Sequence, residues 1–292
     1  MQIETFKVFC DLVETQSFTR AAKNNNVTQS AVSQQVSSME RHFRTPLIER
    51  TSKKFALTRE GQALYEFSKN IVQNYDSLLH RIQEIKNIVS GSIKVSTIYS
   101  IGLHELPPYL KDFLRSHPTV NVAVEYRRAS QVYEDIIGNS ADLGLVAYPH
   151  TDLRLTIVAL RRDLLTLVCH PDHPLASRKS ITLPDLQGQK FISFQPDIPT
   201  RREIDKLFKS RDVTVQTIME FDNIETVKRA IEINAGVGIL PKGTIAQEIA
   251  RKSLVCIPIA DGNFYRPLAA IHRKNKVLSP AMKQFIELLK ED

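Results

Sequence analysis

The sequence predicts an α/β protein with three parts in chain order: a helix-turn-helix with a basic wing, one long helix, and two lobes of alternating strands and helices. Three observations carry that prediction. Ser17 to Glu40 reads as two short helices joined by a tight turn. Apolar residues then keep a near-heptad spacing from Leu64 to Val89, with no proline until Pro107. From Ile93 onward, short strand-like runs alternate with amphipathic helical stretches, the pattern of βαβ units and a mostly parallel sheet.

Ile3, Phe6, Phe9, Cys10 and Val13 recur at helical steps, so the chain opens with an amphipathic helix that would cover the helix pair behind it. Ala21 and Ala22 are small enough for a second helix to approach closely. Asn24-Asn25-Asn26 then interrupts the helix, since asparagine tolerates the left-handed backbone of a sharp turn. Thr28 is placed to cap the next helix. In that helix Val32, Val36, Met39 and Phe43 form one apolar face, while Gln29, Ser30, Ser33, Gln34 and Ser37 occupy the other. A solvated helix face would more commonly carry Lys and Glu. Short uncharged groups that both donate and accept fit base edges in the major groove better, with Gln suited to adenine.

Pro46 stops the second helix. Leu47-Ile48 and Phe55-Ala56-Leu57 flank Arg50-Thr51-Ser52-Lys53-Lys54, which reads as a basic hairpin whose cations would meet phosphates. A charged surface turn is the plainer reading of the same residues. Thr58 can cap the long helix, where Leu64, Phe67, Ile71, Tyr75, Leu78, Ile82, Ile85 and Val89 form a nearly continuous seam. A small N-terminal domain alone cannot cover such a seam; it could pack on the rest of its own chain, but two copies packing together, presenting two recognition helices to DNA, are expected.

After Ser90-Gly91-Ser92, strands are expected at Ile93–Ile98, Val120–Tyr126 and Leu143–Ala147, and again at Leu164–Cys169, Phe191–Phe194, Val215–Glu220, Val237–Leu240, Leu254–Ile259 and Leu268–Ile271. Helices fall between them, the last at Pro280–Leu289. Two similar lobes joined by crossing strands imply a hinged pair with a cleft between.

At 292 residues, several domains can each bury a core. A net charge of +7 and a pI near 9.2 suit a polyanionic partner. No apolar run approaches the ~18 residues of a membrane span, and the N-terminus lacks a signal-peptide core, so a cytoplasmic location without membrane contact is expected. Cys10, Cys169 and Cys256 are odd in number and far apart, which argues against a disulfide framework. Gly236-Val237-Gly238 follows a helix and precedes a strand, the reverse of a dinucleotide fingerprint. Cys169-His170-Pro171-Asp172-His173-Pro174 has no second ligand pair, so no metal is expected there. No nucleophile elbow is present; the expectation is no enzyme, no catalytic residue and no cofactor.

The chain resembles the LysR-type transcriptional regulators over essentially its full length. Phe18 to Ala22, Thr28 to Val36 and Met39-Glu40 carry the resemblance, with Leu47 to Arg50, Leu57 to Gly61, Ala141 to Leu143 and Gly236 to Pro241. Met39 stands where the family usually has Leu, and Ser30 where Pro is common. The resemblance implies a winged helix-turn-helix over residues 1–58, a dimerising linker helix over 59–90 and an effector-binding domain over 91–292. That domain would comprise two Rossmann-like lobes resembling a periplasmic binding protein, lobe I about 91–161 and 266–292, lobe II about 162–265. The function implied is sequence-specific transcription regulation, with operator binding or DNA bending set by a small molecule in the inter-lobe cleft.

The candidate DNA-binding residues are Thr28, Gln29, Ser30, Ser33, Gln34, Ser37, Arg50, Lys53 and Lys54. Family inducers lie at positions equivalent to Thr97, Ser100 and Thr200. Strand ends and helix starts add Tyr99, Ser130, Gln195, Arg201 and Asn223 as effector candidates, with Arg201 suited to an anionic ligand. Each Ser or Thr among them is equally at home as a helix cap. Expected partners are double-stranded DNA with a pseudo-palindromic operator, a small-molecule effector, and the chain itself as dimer or dimer of dimers (a homotetramer), with RNA polymerase a further candidate. Two rivals use the α/β lobes alone: an exported solute-binding protein and an enzyme on the same scaffold. Neither explains the first 90 residues.

Overall fold

The computed structural model describes residues 1–49, 55–86 and 89–290. Arg50, Lys53 and Lys54 lie outside the described residues. The N-terminal domain consists of α1 (Ile3–Thr15), α2 (Phe18–Asn24) and α3 (Gln29–Phe43), packed around Phe9, Leu12, Ala21, Val32, Val36 and Met39. Ser17 Oγ accepts from the Arg20 amide at 3.3 Å to start α2. Asn26, at φ 53°, makes the left-handed turn into α3. Two details differ from the sequence expectation. On α1, Phe9 fills the core with Val8 and Leu12, and Phe6 and Val13 pack against it as expected, but Cys10 turns toward the rest of the molecule. Phe43 is 42% exposed, because α3 ends beside it at the left-handed Arg44 and the core does not reach that far.

Past α3, among the described residues of the wing, Ile48 and Leu57 form a bridge, with the Glu49 amide donating to the Ala56 carbonyl. Thr58 Oγ1 accepts from the Gly61 amide at 2.9 Å and starts α4 (Arg59–Ile85). This helix has 27 residues and a length of about 40 Å, shorter than the seam that runs on to Val89. Its first turns pack on α1, and Leu64 joins the N-terminal core. Farther along, Phe67, Leu78 and Ile85 are 69%, 55% and 70% exposed. No helix among the described residues is long and apolar enough to cross a membrane.

The α/β region then follows as β1 (Gly91–Ile98), α5 (Leu106–Ser116), β2 (Val120–Arg127), α6 (Ala129–Ile137), β3 (Leu143–Ala147), β4 (Leu155–Cys169), β5 (Lys190–Phe194), α7 (Pro199–Ser210), β6 (Gln216–Phe221), α8 (Ile224–Glu232), β7 (Gly238–Pro241), α9 (Ala246–Ala250), β8 (Val255–Ile257), β9 (Tyr265–Arg273) and α10 (Pro280–Lys290). The main sheet runs β2-β1-β3-β9-β4-β7, with β8 also on β4, and β5 pairs with β6 separately.

The sheet is mixed rather than mostly parallel. β1 pairs parallel with β2 and β3, and β5 with β6, but β9, β4, β7 and β8 pair antiparallel. The reason is the crossover: β4 runs from lobe I into lobe II, and β9 returns alongside it, from Leu164↔Tyr265 to Leu155↔Arg273 with a bulge between Ala159 and Arg162. Both strands are longer than their apolar runs. The extra stretches hold Arg161, Arg162, Asp163 and Arg266, charges that masked their strand character in the sequence.

Gly61 sits where α4 crosses the base of the wing. A Cβ there would lie 2.0 Å from the Leu47 carbonyl oxygen, which the Thr58 amide holds at 3.1 Å. Neither backbone can yield without losing that bond. Gly61→Ala is therefore expected to destabilise the chain by about 1–3 kcal/mol, read as a lower urea midpoint.

Candidate functional site

The sequence points to two sites, one on α3 and one between the lobes. At the first, Thr28 Oγ1 accepts from the Ala31 amide at 3.2 Å and lies 2.9 Å from Ser30 Oγ, so the cap fixes the entry of α3. Val32, Val36 and Met39 are buried beneath it. Thr28, Gln29, Ser30, Ser33 and Gln34 are all exposed, whereas Ser37 is half-buried. The structure thus gathers five of the six on one open face at the start of α3. Arg20, Lys23, Arg41 and Arg44 are exposed on α2 and around the end of α3. In the sequence the last two belong to a locally basic run with Arg50, Lys53 and Lys54.

The cleft is built by strand ends and helix starts, as open α/β sheets require. Ile98, Tyr99 and Ser100 leave β1; Arg127 and Arg128 leave β2 and lead into α6; Pro199 and Thr200 open α7; Asp222 and Asn223 precede α8. They enclose a cavity of about 50 Å³, with Phe194, Ile198 and Ile224 supplying apolar wall. At its floor Arg266, 2% exposed, pairs with the buried Asp163 and donates to Ser100 Oγ at 2.8 Å. Tyr99 stacks on Tyr126 with ring centres 5.7 Å apart.

Of the residues expected at the cleft, Tyr99, Ser100, Thr200 and Asn223 line it. Thr97 does not: it is wholly buried, its hydroxyl 3.2 Å from the Ile98 carbonyl. Ser130 is exposed on α6, outside the cavity lining. Gln195 lies at the mouth, where it accepts from Arg128. Arg201 is turned away, contrary to its expected part in pairing with an anion. Its guanidinium bonds Asp205 at 2.8 Å, Glu220 at 2.6 Å and the Phe194 carbonyl at 2.7 Å, which leaves it committed to lobe II. Asn223 also has a structural task, since its Oδ1 accepts from the Thr226 amide at 3.1 Å and caps α8.

Sequence reasoning missed the arginines that matter most here. Arg128 reaches across the mouth from lobe I to Asp222 at 2.9 Å, Gln195 at 3.0 Å and Asp197 at 3.4 Å. Its hydrogen bond holds the Asp222 carboxyl below the ordinary carboxylate range, although partial burial opposes this. A position just before a helix was the one available signal for Arg128; nothing marked Arg266. Beside the cleft a second inter-lobe contact joins His104 Nε2 to Glu225 Oε1 at 2.7 Å. Lys228, 1% exposed, holds Glu225 at 2.9 Å and Glu248 at 3.0 Å behind it.

Comparison with known proteins bears on both sites. The family model described as the LysR substrate binding domain matches residues 86–292, and that of the bacterial regulatory helix-turn-helix protein, lysR family, matches residues 3–62. Among curated relatives, the HTH-type transcriptional regulator CysL of Bacillus subtilis is 26% identical over 292 residues, covering 100% of this chain and 98% of the relative. The structure of a full-length OxyR variant from Pseudomonas aeruginosa matches with a TM-score of 0.75 at 20% identity, covering 99% of this chain and 93% of that one. The Synechocystis CcmR regulatory domain in complex with 2-PG matches with a TM-score of 0.63 at 24% identity, covering 69% of this chain and 96% of that one. Both structural likenesses speak to the fold alone. With the two models spanning its helix-turn-helix and its α/β lobes, the chain belongs to the LysR family, as a DNA-binding transcriptional regulator with an effector-binding domain.

Proposed function

We propose that α3 lies in the major groove of a pseudo-palindromic operator, with Gln29, Ser33 and Gln34 on base edges and Thr28, Ser30 and Ser37 on the sugar-phosphate backbone. The single observation that carries this reading is the open, uncharged, hydrogen-bonding face at the start of α3, set over a buried apolar face. Arg50, Lys53 and Lys54 would neutralise phosphates from the wing. The uncovered apolar side of α4 supports pairing with a second copy, and two such dimers would form the homotetramer. In this reading residues 1–58 bind DNA, 59–90 link and 91–292 sense the effector. The protein acts in the cytoplasm as a regulator without catalytic activity, with RNA polymerase as its downstream partner.

The charges around the cleft favour one class of effector. α6, α7 and α8 all begin at the cavity, which places partial positive charge there. Arg127, Arg128 and Arg266 line it with Asp222, and each is held by a carboxylate: Arg127 by Glu125 and Asp135, Arg128 by Asp222 and Asp197, Arg266 by Asp163. A small organic anion would compete with those carboxylates for the same guanidinium groups, aided by the three helix starts. A cavity of about 50 Å³ holds only a few waters by volume, so an effector enters as the lobes part and Arg128 gives up Asp222 and Gln195. The energetic currency of the response is then the exchange of inter-lobe bonds for ligand bonds.

On duplexes selected from a random library, Gln29→Ala with Ser33→Ala should weaken selected sites by about 1–3 kcal/mol per lost base contact while sparing non-specific binding; unchanged preference rejects the assignment. Lys53→Ala should lower the slope of log affinity against log salt by about one unit. A third expectation concerns pH. Burial raises the Glu225 pKa, but hydrogen bonds from Lys228 and His104 outweigh it and hold the group below its ordinary 4.5. A depressed carboxylate contributes stability that is whole above 4.5 and lost as pH falls through the folded-state value. The urea-midpoint gap between wild type and Glu225→Gln should therefore stay constant above that pH and close below it.

A further inference from the structure

The N-terminal domain and lobe I have separate apolar cores, yet they touch. Asp11 of α1, 8% exposed, accepts from Asn139 Nδ2 of lobe I at 3.2 Å and from Asn25 Nδ2 at 2.7 Å. Asn24 Nδ2 donates to the Gly138 carbonyl at 3.2 Å. Three residues along α1, Glu14 takes both terminal nitrogens of Arg273 at 2.6 Å and accepts from Tyr65 at 3.0 Å. The Glu14 and Arg273 side chains are 11% and 22% exposed. Beyond the pair, Gln73 of α4 donates to the Asn275 carbonyl at 3.1 Å. A polar cavity of about 560 Å³ lies in the middle of these contacts, and Cys10 lines it.

Their placement in lobe I is what gives the contacts meaning. Gly138 and Asn139 follow the end of α6, which begins just after Arg128 in the cleft mouth. Arg273 ends β9, whose second residue is Arg266 at the cleft floor. These two elements span about 14 Å and about 23 Å from cleft to contact. Both are locked into lobe I: Val132 and Ile136 of α6, and Ala269, Ala270 and Ile271 of β9, are 0% exposed. Such segments move with the lobe or not at all.

We propose that this polar patch of lobe I, formed by Gly138-Asn139 and Arg273, is a docking surface for α1 and α2 of the same chain, so that the DNA-binding domain and lobe I travel as one body when the lobes open or close. A patch of hydrogen bonds and one paired charge fits a contact made and released within a folded chain. Each group finds water when it lets go, whereas an apolar contact of similar size would not separate so readily. The dock is the same whichever molecule fills the cleft.

Cys10 reports the dock. Its thiol is 8% exposed, and burial, then Glu14 and Asp11, push its pKa to about 12. The experiment labels the full-length chain with a maleimide and resolves each cysteine by peptide mass spectrometry. Cys169, 0% exposed in lobe II, serves as the gauge of global unfolding. Asn139→Gly suits the left-handed backbone there, φ 56°, and removes only the side-chain bond to Asp11. Arg273→Gln removes a cation that favours the thiolate, so any acceleration it gives is access and not acidity. The expected result is Cys10 labelling faster by about tenfold in each variant, the equivalent of one lost bond to a charged group, with Cys169 unchanged. Asn139→Asp, which sets a second carboxylate against Asp11, should exceed both. Equal Cys10 rates in wild type and Asn139→Gly overturn the proposal. So does acceleration of Cys10 and Cys169 together in that variant, since the contact would then belong to the general fold and not to a separable dock.

Discussion

Everything in the α/β region depends on two antiparallel strands that pass between its lobes. β4 lends its first half to the lobe I sheet and its last half to lobe II, and β9 runs back beside it. Where they cross, Asp163 and Arg266 face each other almost out of reach of water. Either charge alone would be severely destabilising in that position, so the pair must stay together. That requirement fixes the cleft floor. Ser100, held by the same guanidinium, brings the end of β1 to it, and the remaining walls follow from strands that end and helices that begin at the same level.

The two ends of the chain divide their tasks by kind of surface. α3 needs only its cap, its apolar underside and the small Ala21 beside it to stand correctly. Its outer face makes few bonds within the protein and is therefore available to a partner. The cleft is the opposite case. Most of its polar groups already have protein partners, so the proposed effector would compete with existing bonds, and its free energy of response would be a difference between two bonded states.

Between those ends the N-terminal domain meets lobe I through polar contacts rather than through a shared core. Asp11, Glu14 and Arg273 are buried enough to be directional, yet each retains an alternative in water. Among the described residues, the buried apolar clusters lie within the N-terminal domain and within the α/β lobes, and none spans the contact between that domain and lobe I.

Much of this was already legible in the residues. The spacing of Val32, Val36 and Met39, the asparagine run at the turn and the hydroxyls at Thr28 and Thr58 determined the N-terminal helices, because caps, turns and amphipathic faces are local physics. The alternation after Ile93 determined two α/β lobes for the same reason. The tertiary structure alone decided the mixed sheet, the reach of β4 and β9 through charged residues, the rotation of Arg201 away from the cleft and the placing of Arg128 and Arg266 within it. Those outcomes turn on partners far along the chain, such as Asp163 for Arg266 and Asp222 for Arg128. A charge shows in the sequence, but the group that neutralises it is settled only when distant segments meet.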